Sequence, residues 1–317
     1  MLQTIPHLIR SCRHPFAERV LAMDTAPLSG FMPGRYRVGT QQELEAACQT
    51  LVDRGVIDRI VKIDYDSTQI QNVYQKYFGV EPAQRMLDHT HNWKGSTVYA
   101  SLYCIEASAT DYYLHFDADM LLHQKADGDW INSAVRLMES HPKIVTIRPF
   151  CGPPLPEGLP LHLANASQEE GFYGHQTFSM RTYLVNKQRF ARLAPIPLMW
   201  KYYPMLSRHL PPPFQSSFAK VERQLRPQVE PIQGALESFE VMTNHRLKSA
   251  NFIRADLSST DAWTLHPPKH NYDYLKALPN LINFIEQGEY PPGQAGSYDV
   301  LLNEWSEWLN AEEAINC

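Results

Sequence analysis

Three pairs of aspartates with the spacing D-x-D are the residues of this sequence best suited to metal or phosphate chemistry. The pairs are Asp64/Asp66, Asp117/Asp119 and Asp127/Asp129. Carboxylate oxygens suit Mg²⁺ or Mn²⁺, but a single aspartate is also a frequent helix cap. The first pair opens a predicted helix and the third lies in a polar turn before Trp130, which favours capping. The second pair ends an aromatic and apolar strand and runs on into apolar residues, which favours ligand binding.

Strand-like and helical segments alternate in the first half of the chain and must position these acids. The predicted strands end at Asp24, at Asp64 and at Asp117, and helical patterns cover 41–54, 67–78 and 95–109. This alternation predicts an α/β fold with a mixed, mainly parallel sheet flanked by helices. Ligands of open α/β sheets bind beyond the carboxyl ends of the strands. We therefore expect the acids to meet at one edge, where a divalent cation carrying a diphosphate would offset their repulsion.

Composition limits the function classes. The 317 residues include 44% hydrophobic and 20% charged positions, and 29 basic against 34 acidic residues give a net charge of −5. This balance disfavours a nucleic-acid protein. No apolar run approaches the roughly 20 residues of a membrane span, and the N-terminus lacks the apolar stretch of a signal peptide. We expect a cytoplasmic protein without a transmembrane segment, whose five widely spaced cysteines are reduced.

One block of the sequence combines several of these features. It contains Asn92-Trp-Lys-Gly95-Ser96, a predicted helix, and then Thr110-Asp-Tyr-Tyr-Leu-His-Phe-Asp117-Ala-Asp119. This block resembles the core of family-2-like glycosyltransferases, in which an Asn/Gly/Ser turn and a helix precede a strand that ends in the metal-binding D-x-D. The resemblance extends over about residues 1–270. It implies the nucleotide-sugar-binding GT-A fold and an inverting, hexosyltransferase-type enzyme that depends on Mn²⁺ or Mg²⁺.

The resemblance also implies roles for individual residues. The metal ion would be held by Asp117, Asp119 and His266, with His270 as the next candidate histidine. Contacts to the nucleoside-diphosphate sugar donor are implied for Asp24, Thr25, Asn92, Gly95, Ser96 and Asp117. The base that deprotonates the acceptor would be Glu237, with Glu240 as the second choice.

Each role has a structural alternative that the sequence leaves open. Asp24 would instead cap a turn with Thr25, Ser96 would cap a helix, and Glu237 would be a solvated helix acid. His115, inside a predicted strand, is interpreted as a hydrogen-bonded core residue.

The chain divides into two halves of one continuous GT-A-like domain. Residues 1–150 would bind the nucleotide sugar. Residues 151–317 would form the acceptor side, with proline-rich loops, an acidic helix over 236–249 as the last helix, and a C-terminal tail. Residues 2–12 match the first helix of the family, so its first strand is expected before Met1. The Q-x-x-R-W motif of processive synthases is absent from the sequence, which disfavours processive synthesis.

The acceptor is predicted to be a saccharide or a lipid-linked molecule. The aromatic, proline-rich segment 194–213 is a candidate acceptor site or lid, or else a stiff linker. Peripheral membrane contact is a further hypothesis for Leu198, Met199, Trp200 and Tyr203. Two other functions stay open: a degenerate, non-catalytic nucleotide-sugar-binding protein, and a sugar nucleotidyltransferase. The latter predicts a Gly-rich phosphate loop near the N-terminus, which the sequence does not show.

Overall fold

The computed structural model of the protein describes residues 1–27, 39–200 and 236–315, with five single positions between the last two ranges. The helices are α1 (Thr4–Cys12), α2 (Gln41–Asp53), α3 (Ser67–Phe78), α4 (Val80–Met86), α5 (Tyr99–Ala107), α6 (Trp130–Ser140), α7 (Lys187–Ala191), α8 (Phe239–Ala250), α9 (Tyr272–Gln287) and α10 (Leu302–Ile315). Most of the predicted acceptor segment after Trp200, including Tyr202 and Tyr203, lies outside the described residues.

Three sheets contain the strands. The strands are β1 (Val20–Met23), β2 (Arg59–Lys62), β3 (Tyr112–Phe116), β4 (Leu121–Gln124), β5 (Ile144–Arg148), β6 (Phe150–Cys151), β7 (Ser167–Glu169), β8 (Phe172–His175), β9 (Thr182–Asn186), β10 (Ile253–Leu257) and β11 (Ala262–Leu265). Strands β1 and β2 form a pair, the largest sheet has the order β3-β9-β5-β10-β8-β7, and the third has the order β4-β11-β6. Strands from both halves of the chain share the largest sheet.

The α/β class is confirmed, but the prediction of a mainly parallel sheet is wrong. Among the described strands, β1 with β2, β5 with β10 and β6 with β11 are parallel, and the other pairs are antiparallel. The main reason is β9, which runs back between β3 and β5 and is antiparallel to both. Consequently β3, β5 and β10 run in one direction, and their carboxyl ends lie at one edge of the sheet.

Strand β1, helix α2 and strand β2 form a βαβ unit. Helix α2 begins with a capping box, in which Thr40 Oγ1 accepts from the Glu43 N–H and the Glu43 carboxylate accepts from the Thr40 N–H. The parallel register pairs Met23 with Lys62, so Asp24 and Asp64 follow at the same end of the pair. The predicted helix over residues 2–12 is confirmed as α1, and it packs against β4.

The largest sheet is covered on both faces. Along β9, Tyr183 and Val185 join a core cluster with helices α3, α5 and α8, whereas Leu184 joins the opposite cluster with α1 and α6. This alternation is the period of two expected of a strand. A third cluster packs the sheet of β4 and β11 on α9 and α10, so two helices follow the one predicted to be the last. Within the described ranges, no helix is both long enough and apolar enough to cross a membrane.

Gly152, directly after strand β6, allows the loop of Ser297 to approach its backbone closely. Its φ of +79° favours glycine, and a Cβ there would lie 2.4 Å from the carbonyl oxygen of Ser297. We expect Gly152→Ala to lower the free energy of unfolding by about 2–3 kcal/mol, measured by urea denaturation. Gly158→Ala is the control, because Gly158 has a similar φ of +81° and no atom within 4 Å of its Cβ position. Equal losses in both variants would contradict a role for the close approach.

Candidate active site at the carboxyl ends of the strands

A tight turn between β3 and β4 carries Asp117 and Asp119. The N–H of Asp117 donates to the carbonyl of Arg181 at 2.8 Å, and the N–H of Met120 donates to the carbonyl of Asp117 at 3.1 Å. The hydroxyl of Thr4 donates to the carbonyl of Ala118 at 2.5 Å. The prediction that a strand ends in this D-x-D pair is confirmed. The backbone of the turn is held by one hydrogen bond to Arg181, one bond within the turn and one bond from the Thr4 side chain.

Asp119 has one paired and one unpaired carboxylate oxygen. Its Oδ2 lies 2.9 Å from His270 Nε2, whereas its Oδ1 is buried and has no hydrogen-bond partner within the part of the chain described. Burial opposes the charged form, but the hydrogen bond to His270 and the proximity of His266 outweigh it and lower the pKa of Asp119. The group is therefore a half-buried carboxylate, one oxygen of which is itself buried and lacks a donor among the described residues, which native proteins rarely leave unsatisfied.

His266 is oriented as a metal-binding histidine would be. Its Nδ1 lies 2.8 Å from Asp299 Oδ1, and its ring stacks on Tyr298 with a centroid distance of 6.0 Å. A carboxylate on one ring nitrogen typically orients a histidine whose other nitrogen binds a metal. Burial lowers the pKa of His266 by more than the Asp299 bond raises it, so the neutral imidazole that ligates metals is favoured.

The predicted metal ligands thus come from two sheets, with Asp117 and Asp119 after β3 and His266 after β11, and each has a protein partner. Asp117 Oδ1 lies 3.1 Å from His115 Nε2. Asp117 and Asp119 thus each have a histidine partner, His115 and His270. No group of three or more His, Cys, Asp or Glu side chains in the described ranges is arranged as a metal site. The unpartnered Oδ1 of Asp119 and the oriented His266 nevertheless fit a divalent cation in the chemistry of their donor atoms.

Asp24, at the end of β1, lies in a small hydrogen-bond network. Tyr65 Oη donates to its Oδ1 at 2.7 Å, and His91 Nε2 lies 3.1 Å from its Oδ2. The N–H of Ala26 also donates to Oδ1, at 2.9 Å, so Asp24 shapes the turn that contains Thr25. Partial burial raises the pKa of Asp24, but the bonds from His91, Tyr65 and Ala26 together lower it. The turn-forming alternative is therefore realised, while a donor contact of Asp24 or Thr25 stays a prediction.

The predicted donor residues Asn92, Gly95 and Ser96 form one closed loop. Asn92 Oδ1 accepts from the N–H groups of Lys94 and Ser96, at 2.9 and 3.0 Å. The backbone of Asn92 bonds to Ser96 and to Gly95, whose φ is +90°. The Asn92 side chain is thus used in holding the loop, and any donor contact would come from the outer surface of that loop.

The start of helix α5 next to this loop has its amides satisfied within the protein. Thr97 Oγ1 accepts from the N–H of Ala100 at 3.0 Å, and the carbonyl of Thr90 accepts from the N–H groups of Val98 and Tyr99. The capping alternative for Ser96 is therefore wrong, because Thr97 is the residue that caps. These amides do not offer an anion site of the kind that helix N-termini provide.

Glu237 and Glu240 lie at the start of helix α8. Glu237 Oε1 accepts from Trp93 Nε1 at 3.3 Å, which places this acid beside the loop of Asn92. Ser238 caps the helix by accepting from the N–H of Val241. Glu240 Oε1 accepts from the N–H of Met180 at 3.0 Å and so holds the backbone next to Arg181. The structure thus gives Glu240 a positioning contact.

A buried charge cluster lies at the ends of β5 and β10. Asp256 is 0% exposed and accepts two hydrogen bonds from each of Arg148 and Arg254, with distances between 2.7 and 3.1 Å. Arg254 also donates to the carbonyl and hydroxyl oxygens of Thr177. Sequence reasoning did not identify this cluster, although charged residues inside apolar strand segments were a signal for it.

Histidine partners are the other feature that sequence reasoning missed. His91, His115 and His270 each pair with one of the aspartates that end β1 or β3. The interpretation of His115 as a hydrogen-bonded core residue is confirmed for the hydrogen bond, whose partner is Asp117, but the side chain is half-buried and lies outside the core clusters. Because His115 and Asp117 are two residues apart, their side chains were expected on one face of the strand.

Comparison with known proteins gives no family for the chain. No protein-family model and no curated protein matches it.

Proposed function

We propose that the protein is a metal-dependent glycosyltransferase that moves a sugar from a nucleoside-diphosphate sugar to an acceptor hydroxyl. The observation that supports this most directly is the buried, unpartnered Oδ1 of Asp119 at the carboxyl end of β3. It lies near His266, which Asp299 orients. A carboxylate that lacks a cation, next to a neutral histidine, is what a metal-assisted leaving-group site requires.

The site would hold the ion through Asp119, Asp117 and His266. Bound Mn²⁺ or Mg²⁺ would supply Lewis-acid stabilisation of the negative charge on the departing diphosphate. His270 would keep Asp119 oriented through the Oδ2 contact, and Asp299 would keep His266 oriented in the same way.

The transfer itself needs a base and an acceptor. The bond between the anomeric carbon and the phosphate oxygen breaks, and its electron pair leaves with the diphosphate. The acceptor oxygen forms the new bond to the anomeric carbon, and its proton passes to the carboxylate of Glu237. Attack on the face opposite the leaving group inverts the configuration. Asp24, with Tyr65 and His91, would contact the nucleoside of the donor.

Titration of the intact protein with UDP- and GDP-sugars in the presence of Mn²⁺ tests this function. We expect binding with Mn²⁺, loss of binding with EDTA, and slow metal-dependent release of the sugar without acceptor. The absence of binding by any nucleotide sugar with Mn²⁺ present would overturn the proposal. Metal-dependent binding without hydrolysis or transfer to any acceptor would favour a binding protein.

Two matched substitutions separate the roles of the acids of helix α8. We expect Glu237→Gln to lower the transfer rate about 10²-fold while donor affinity is retained, because the acceptor proton loses its base. Glu240→Gln should affect the rate less, since an amide oxygen can still accept from the N–H of Met180. Initial rates with the same acceptor measure both variants. A larger loss in Glu240→Gln would reverse the assignment.

The orientation of His266 gives a prediction about metal affinity. We expect Asp299→Asn to weaken Mn²⁺ binding about 10- to 100-fold, because the histidine loses the carboxylate that fixes its ring. Titration calorimetry with Mn²⁺ alone measures this. Asp261→Asn is the control, since Asp261 pairs with Lys125 at an exposed position. An unchanged Mn²⁺ affinity in Asp299→Asn would contradict a role of the Asp299 charge in metal binding by His266.

A further inference from the structure

Arg181 is the residue that joins the D-x-D turn to the acidic helix. Its carbonyl accepts from the N–H of Asp117 at 2.8 Å, and the preceding N–H, of Met180, is held by Glu240. Strand β9 begins at the next residue, Thr182, which pairs with Phe116 at the end of β3. The backbone of Arg181 is therefore fixed beside the carboxylates of the proposed site.

The Arg181 side chain has one unsatisfied nitrogen among the described residues. Its Nη1 is buried and has no hydrogen-bond partner in the described part of the chain. The guanidinium is close to His266, whose pKa is lowered mainly by burial and in part by this positive charge. Buried donors in native proteins are nearly always paired, and a guanidinium is built to bind oxyanions in a planar fork.

Two buried arginines at this sheet edge, Arg148 and Arg254, differ from the half-buried Arg181 in this respect. Arg148 and Arg254 direct their N–H groups at Asp256, and Arg254 also reaches Thr177. Their positive charge is thus paired with a carboxylate, whereas the charge of Arg181 is directed at no carboxylate within hydrogen-bond distance among the described residues. Arg181 is the better candidate for binding an external anion.

Two unsatisfied atoms of opposite character therefore lie around His266. Within the described ranges, Asp119 Oδ1 has no donor, Arg181 Nη1 has no acceptor, and no hydrogen bond joins these two atoms. A divalent cation that carries a diphosphate would satisfy both atoms at once. We propose that Arg181 binds the diphosphate of the donor while Asp119 binds the accompanying cation. This inference rests on the proposed function and assigns the anion contact of the same site to Arg181.

Inorganic pyrophosphate is the probe that tests this role, titrated with Mn²⁺ into the intact protein. We expect Arg181→Met to weaken pyrophosphate affinity about 10- to 100-fold, the effect of losing a charge-assisted hydrogen bond. Mn²⁺ affinity measured without pyrophosphate should not fall, because the charge that is removed repels a cation, and retained Mn²⁺ binding also reports that the site is folded. Arg136→Met is the control, because Arg136 is exposed on α6 and its guanidinium donates only to Ser133 among the contacts described.

The outcomes separate this inference from the function on which it rests. Equal pyrophosphate affinity in Arg181→Met and the wild type would overturn the role of Arg181, as would a wild type that binds no pyrophosphate with Mn²⁺. If Arg181→Met does not fold, Arg181→Gln takes its place with the same expected loss. Pyrophosphate binding that depends on Arg181, without any binding of nucleotide sugars, would support the anion site and contradict the glycosyltransferase.

Discussion

Asp119→Asn is expected to slow sugar transfer by at least about 10³-fold and to remove measurable Mn²⁺ binding. The amide keeps the shape of the side chain but loses the charge, and several kcal/mol of leaving-group stabilisation are lost with the metal ion. The buried Oδ1 of Asp119 is the atom on which this expectation depends. Initial rates with a nucleotide sugar and calorimetry with Mn²⁺ measure the two effects.

The other two D-x-D pairs supply matched controls for Asp119→Asn. Asp66 caps α3 by accepting from the N–H of Thr68, and Asp129 caps α6 by accepting from the N–H of Asn132. Asparagine is about as good a helix cap as aspartate. Asp66→Asn and Asp129→Asn should therefore leave rate, Mn²⁺ affinity and stability nearly unchanged. Full activity in Asp119→Asn would exclude the metal-dependent mechanism.

Asp256→Asn is expected to lower the free energy of unfolding by about 3–5 kcal/mol, the largest stability effect that we foresee. Among the described residues Asp256 is the one carboxylate that pairs with Arg148 and Arg254, so loss of its charge leaves two buried positive charges without that compensation. Urea denaturation measures the loss. Asp58→Asn is the control, because the Asp58–Arg19 pair has the same chemistry at a partly exposed position and should contribute at most about 1 kcal/mol.

The same carboxylate makes stability depend on acidity. Burial opposes the charge of Asp256, but Arg148 and Arg254 outweigh it and hold its pKa well below the usual range. Since the folded pKa is lower than that of the unfolded chain, the contribution is complete above about pH 4 and is lost as the pH falls below that value. Unfolding curves between pH 3 and pH 6 should show this slope in the wild type. They should show a smaller slope in Asp256→Asn.

The sequence predicted the elements of the fold better than their pairing. Apolar periodicity located α2 and α3 to within one residue, because each of these helices buries one face. The directions of the strands could not be read in the same way. The apolar pattern of β9 would be the same at an edge of the sheet as in its actual place between β3 and β5. Only tertiary packing decides which strands are its neighbours. Helix α9 was missed because its interior contains Pro279, a residue that usually ends a helix.

The candidate site shows the same limit. Asp117 and Asp119 could be located because the strand and the turn that carry them are local in sequence. The pairing of Asp119 with His270, and of His266 with Asp299, joins segments that are far apart in the chain. Such contacts depend on how the sheet of β4, β11 and β6 packs beside the largest sheet. No periodicity in the sequence predicts that arrangement.

The two consecutive residues Met180 and Arg181 connect the start of helix α8 to the D-x-D turn through hydrogen bonds. One is bonded to Glu240 of helix α8 and the other to Asp117 of the D-x-D turn, at 3.0 and 2.8 Å. An acceptor that displaces α8 would therefore pull on the turn that carries the carboxylates, with one peptide unit between the two attachment points. In the proposed enzyme, binding of the acceptor beside α8 would in this way change the position of the carboxylates that bind the metal ion and the donor.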